Sequence, residues 1–254
     1  MQIKMEATGA EETIGDALLA AYKRLLDECR QFKAAQLYLL KLQVGAREDD
    51  GVLKAAHDEF IEHLKPQYAT PYLYFVERSF LSLISAFELF LQDVMSIVIL
   101  ANPKKVGQVE FKLSDILDAS GTNELVLRGI DATLNKLMYK KPKEYLTEVT
   151  SLLSIDPAPL EDKWPTFVEA KARRDLGVHN GWKCNQIYIR KVSEAGLPSA
   201  YVEGQSAFPV ESAYLNGVGD ALTDLAGLVA EAVLQKHSAS LSIAASKASN
   251  HLLR

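Results

Sequence analysis

An all-α helical bundle is the fold that this sequence predicts, on three observations. Apolar residues recur at three- and four-residue spacing through most of the 254 residues. Pro, Gly and Asn-rich breaks separate these periodic segments. Only one short stretch, around Ala200-Tyr201-Val202, reads as extended. Helix following helix through short loops has one common packing solution, a bundle.

The elements follow in order. Ile14, Leu18, Leu19, Tyr22, Leu25, Leu26, Phe32, Leu37, Leu40 and Leu42 mark one long amphipathic helix. Gly45 to Gly51 is polar and reads as its break. A shorter helix runs from Val52 to Leu64, ended by Pro66. Pro71 opens the next, from Tyr72 to Leu100, and Asn102-Pro103 stops it. Lys104 to Glu110 is a loop, and Leu113 to Leu117 one helical turn. Thr122 is the expected N-cap of a helix reaching Tyr139, with Glu124 in its first turn. Tyr145 to Leu153 is a short helix after the basic connection Lys140, Lys141 and Lys143. After the break Asp156 to Pro159, Trp164 to His179 is helical, with Pro165 in its first turn and Asn180-Gly181 as its stop. Ile187 to Glu194 and Val210 to Gln235 complete the set, and Ser238 to Arg254 is a Ser- and Ala-rich tail. The expected division is an N-terminal helical extension over 1–70, the bundle over 71–236 and a tail over 237–254.

Composition narrows the function. Hydrophobic residues make up 48% and charged residues 24%, enough for a sizeable core. The net charge of −5 argues against coating nucleic acid over the whole surface, so any such contact must be a local patch. Cys29 and Cys184 form no disulfide framework and read as idle thiols of a reducing cytosol. Met1 to Thr13 holds Glu6, Glu11 and Glu12 and no apolar core like that of a leader. Glu88, Gln92 and Asp93 interrupt the most apolar run, Phe80 to Ala101, which therefore reads as a buried helix and not a membrane span. A cytoplasmic protein that makes no membrane contact is the expectation. No phosphate-cradling Gly loop and no His-Glu-x-x-His occurs, so neither cofactor nor metal is expected.

One segment stands apart. Between Phe167 and Tyr188, Lys171, Arg173, Arg174 and Lys183 gather around His179, opposed only by Glu169 and Asp175. Asp175 and His179 are four residues apart and share a helix face, so the carboxylate can orient the imidazole. The same pair reads as readily as a helix-end cap with a salt bridge, and spacing alone favours that plainer reading. Histidine and arginine without a metal suit RNA cleavage. Histidine takes the proton of a ribose 2′-hydroxyl, and arginine holds the phosphate whose charge grows in the transition state. The RNA supplies its own nucleophile.

Arg174, Asp175 and His179 match the signature of the HEPN family (higher eukaryotes and prokaryotes nucleotide-binding), which is Arg, a polar residue, three more residues, then His. Arg173-Arg174, Val178, His179-Asn180-Gly181, Asn185 and Tyr188 resemble the layout of a bacterial group of that family. Phe80 to Leu91, Asp115 to Leu117 and Thr122 to Tyr139 resemble its upstream helices, and the likeness spans about Tyr72 to Glu194. The resemblance implies an up-and-down HEPN-like bundle carrying an extra N-terminal helical hairpin. It implies a homodimer whose two motifs face one cleft, and a metal-independent endoribonuclease of the toxin or anti-phage kind that leaves 2′,3′-cyclic phosphate and 5′-hydroxyl ends. His179 is then the general acid/base, Arg174 the phosphate holder and Asp175 the orienting residue, with Arg173, Lys171, Asn180 and Lys183 as RNA-binding support. An antitoxin or defence partner is also implied. Gly181 stands where one toxin subgroup carries the tyrosine that its antitoxin modifies, which speaks against that form of control. Members without catalysis serve as nucleotide-, RNA- or protein-binding modules, and that is the alternative function.

Overall fold

The computed structural model describes residues 14–48, 51–64, 68, 70–106, 109–138 and 140–252. Among them are nine α-helices: α1 Ile14–Glu48, α2 Val52–Glu62, α3 Pro71–Ala101, α4 Leu113–Leu117, α5 Thr122–Met138, α6 Pro142–Leu153, α7 Trp164–Asn180, α8 Gln186–Glu194 and α9 Ser212–Leu252. No strand occurs among the described residues, and Lys183 and Ser206 form an isolated antiparallel bridge. The all-α expectation holds.

The bundle is organised around α3. Thr70 caps it by accepting from the Leu73 N–H at 3.4 Å, and Pro71 takes the first turn, where no amide donor is needed. Phe80, Leu83, Ile84, Phe87, Leu91, Val94 and Ile99 of α3 are wholly or almost wholly buried. Each such side chain contributes about 1.5–3 kcal/mol through its burial. Helix α3 is the one described helix long and apolar enough to cross a membrane, and 56% of its most apolar stretch is buried inside the protein. Its apolar character is accounted for by α1, α5, α6, α7 and α9, which pack around it.

The ends differ from the sequence reading. Helix α1 continues through Gly45 and Ala46 to Glu48, because Ala46 is buried and tertiary packing overrides the polar composition. Pro66 and Tyr139, expected to end helices, lie outside the described residues. Leu18, Ala21, Leu25 and Phe32 of α1 share one core with α3 and with Leu222, Leu225 and Val229 of α9. Helix α1 therefore packs into the same core as α3 and α9. Helix α9 does not break at 236: His237 Nε2 lies 2.6 Å from the Leu153 carbonyl at the end of α6. Thr122 is the first helical residue of α5 rather than its cap. Glu124 reaches back instead to the Ser120 N–H at 2.7 Å and hydroxyl at 2.8 Å, and these bonds hold its carboxyl down at about 2.

Candidate functional site

Helix α7 carries the Arg174–His179 motif, and its two ends explain how the motif is presented. Pro165 starts it, and Phe167, Val168 and Ala170 sink into the core beside Phe87. At its far end Gly181 takes a left-handed conformation, φ +55°, and reverses the chain. Trp182 folds back, donating its N–H to the Leu176 carbonyl at 3.0 Å and laying its indole over Gly177. The Asn180 side-chain amide donates to the Lys183 carbonyl at 2.6 Å and closes the turn. His179 and Asn180 thus sit on the last, exposed turn of α7.

Gly177 has a reason to be glycine. A Cβ there would lie 2.3 Å from the Trp182 ring. That ring is backed by Phe80 and Phe208, and its Nε1–H donates to the buried Glu77 at 3.2 Å. Gly177→Ala gains about 1 kcal/mol of helix propensity but forces this packed ring aside, at a cost of about 1–3 kcal/mol. The expected net result is a lower Tm in thermal melting. An unchanged or raised Tm would mean that the indole swings away freely.

The charges around the motif are largely paired. Glu88, buried midway along α3, takes both Lys171 and Arg174 as ion-pair partners. A lone buried carboxylate is costly to desolvate, and two cations compensate it. Burial pushes the Lys171 ammonium down to about 8; the neighbouring Arg174 and Lys191 push the same way, and the Asp175 charge opposes them. Asp175 receives Lys191 from α8 at 3.2 Å and approaches Arg174 Nε at 3.6 Å. It makes no hydrogen bond to His179, so the expected orienting contact is absent from this arrangement. The reason is that α8 packs along α7 and delivers a full positive charge to the same carboxylate. The His179 ring is exposed, and no hydrogen bond or ion pair joins it to another of the described residues. Lys183 is exposed as well.

Arg173 is a correction. It points away from Arg174, into the second core cluster, and is only 6% exposed. Its Nε donates to Glu169 at 2.7 Å and its Nη1 to the Tyr201 hydroxyl at 3.3 Å, while its guanidinium stacks 3.8 Å from the Tyr214 ring centre. Burial works against its charge, but Tyr214 and Glu169 outweigh that and hold the guanidinium above its usual range. Tyr188 and Tyr214 donate their hydroxyls to Glu169 at 2.6 and 2.7 Å. Both phenols are raised, chiefly by burial and then by the Glu169 charge. A side chain committed in this way cannot reach RNA, so Arg173 supports the fold.

The structure therefore brings Arg174, Lys171 and Asp175 into one charged band with Glu88 and Lys191, leaves His179 and Lys183 open beside it, and removes Arg173. Glu88 is the residue that sequence reasoning passed over as a site member. Its signal was visible: a carboxylate midway along the most apolar helix of the chain, set between Phe87 and Leu89. Asn185 and Tyr188 do local work, Asn185 capping α8 by accepting from the Tyr188 N–H at 2.9 Å. Among the described residues, no group of three His, Cys, Asp or Glu side chains is placed to hold a metal. No protein-family model matches the chain, and no match was found among curated proteins or solved structures.

Proposed function

We propose that the protein is a metal-independent endoribonuclease that works as a homodimer. One observation carries this reading: α7 presents an exposed His179, with no partner among the described residues, just over one turn beyond a guanidinium, Arg174, that is held in place by Glu88. Within one copy, five residues separate the two, about 140° around a helix. Two copies meeting along this face would put an arginine from one opposite a histidine from the other. Val178, half exposed beside His179, offers an apolar contact for that meeting.

The chemistry follows from these groups. One His179 takes the 2′-hydroxyl proton, and the 2′-oxygen attacks the adjacent phosphorus. The bond from phosphorus to the 5′-oxygen breaks. The His179 of the second copy protonates the departing 5′-oxygen, leaving 2′,3′-cyclic phosphate and 5′-hydroxyl ends. Arg174 stabilises the phosphate charge that builds meanwhile. The test is purified protein with total RNA and with tRNA in EDTA. Cleavage giving those ends, lost in Arg174→Ala and His179→Ala, supports the reading. Equal cleavage by all three proteins defeats it. The engagement of Arg174 by Glu88 and of Asp175 by Lys191 favours a second reading, a non-catalytic module that binds RNA, a nucleotide or a protein. Binding of RNA without cleavage by any of the three would decide for it.

Glu88 gives a sharper prediction. It neutralises one of the two cations that face a phosphate. Glu88→Gln is expected to tighten RNA binding several-fold and to steepen the dependence of log K on log salt by about 0.7–0.9. Cleavage is expected to slow, since Arg174 loses the carboxylate that aims it. Fluorescence anisotropy over a salt series measures the first, and an unchanged slope would show that Glu88 does not compete with phosphate.

A further inference from the structure

Among the described residues, Glu77, Glu88 and Glu169 are the buried glutamates. Cations pair with Glu88 and Glu169. Glu77 has no such partner among the described residues: its two oxygens accept the Tyr68 hydroxyl and the Trp182 indole N–H. An interior carboxyl without a counter-charge is a costly fastening for a ring that apolar contacts already surround.

What Glu77 fastens is strained. Trp182 stands at φ +64°, a left-handed backbone that a bulky side chain rarely adopts. Such a conformation persists only where its surroundings over-determine it, and such residues gather at functional sites. The backbone N–H of Trp182 donates to the Leu176 carbonyl at 3.0 Å, and its own carbonyl accepts from the Ala207 N–H at 2.8 Å. Its indole lies on Gly177 and is pinned from α3 by Glu77. His179 sits inside the loop that these contacts close, between Gly177 and Trp182. Glu77 and Glu88 are eleven residues apart on α3, about 20° around the helix. One face of α3 therefore holds both halves of the motif, Arg174 directly and His179 through Trp182.

We propose that Glu77 is a positioning residue for His179, a role that rests on the ribonuclease reading. By holding the indole against Gly177 it keeps the 177–182 turn in one geometry, and the imidazole where the 2′-hydroxyl arrives. Single-turnover RNA cleavage by Glu77→Leu, Glu77→Gln, His179→Ala and the Glu77→Leu, His179→Ala double variant tests it, beside hydrogen exchange of the RNA-free proteins. Glu77→Leu is expected to cleave about 10–100-fold more slowly, with RNA binding unchanged. Glu77→Gln keeps an acceptor oxygen for the indole and should recover most of the rate. In the His179→Ala background, Glu77→Leu should cost nothing further, since its effect passes through the imidazole, whereas a merely structural loss would cut both backgrounds alike. Exchange should quicken at the Trp182 and Lys183 amides of Glu77→Leu while α3 stays protected. If Glu77→Leu does not fold, Trp182→Phe keeps a ring over Gly177 without the N–H and is expected to show the same loss. Full-rate cleavage by a folded Glu77→Leu or Trp182→Phe protein, or an equal loss in both backgrounds, would overturn the positioning role and leave the ribonuclease reading standing. No cleavage by the wild type would overturn that reading, and the positioning role with it.

Discussion

Replacing His179 by alanine is expected to lower the RNA cleavage rate by about 10²–10⁴, the usual contribution of a positioned general acid or base. Stability should barely move. The ring is exposed and has no hydrogen-bond or ion-pair partner among the described residues, so its loss leaves no buried partner there unsatisfied. That contrast makes the test discriminating: unchanged melting with a collapsed rate assigns chemistry to the imidazole, whereas parallel losses would point to unfolding. Cleavage at the wild-type rate would end the proposal that His179 is the acid/base. Arg174→Lys separates the two cationic roles further. It retains a charge near Glu88 but not the bidentate fork, so binding should persist while the rate falls.

How much of this was legible in the sequence depends on whether the information was local. Helix α7 was read almost residue for residue, because Pro165 and Asn180-Gly181 punctuate an apolar period. Helix α3 was read for the same reason, between Pro71 and Asn102. The role of α1 was missed. Its amphipathic pattern says that one face is buried, but not that the face is covered by α3 and α9, nearly two hundred residues away in the second case. The site shows the same division. The spacing of Asp175 and His179 permits a hydrogen bond, yet Lys191, sixteen residues further on, takes the carboxylate once α8 folds back. Lys171, Arg173 and Arg174 read together as a basic patch. In three dimensions they divide between two buried glutamates, Glu88 and Glu169, of which only Glu169 lies near them in the chain.

That division sets the last expectation, which concerns stability. Arg173→Ala would strand Glu169 in the interior, still bonded to Tyr188 and Tyr214 but without a counter-charge. Breaking a buried pair from one side costs about 3–5 kcal/mol, and the lost stacking on Tyr214 and Tyr201 adds to it. Denaturant titration should show this as a large fall in midpoint. The double variant Glu169→Gln with Arg173→Met should recover much of the loss, since no charge is then left unpaired and the phenols keep an acceptor. In the same double variant the salt dependence of RNA binding should match wild type, because Arg173 never faces a phosphate. A slope reduced by about 0.7–0.9 would instead mean that Arg173 leaves Glu169 to contact RNA, and would restore it to the binding surface.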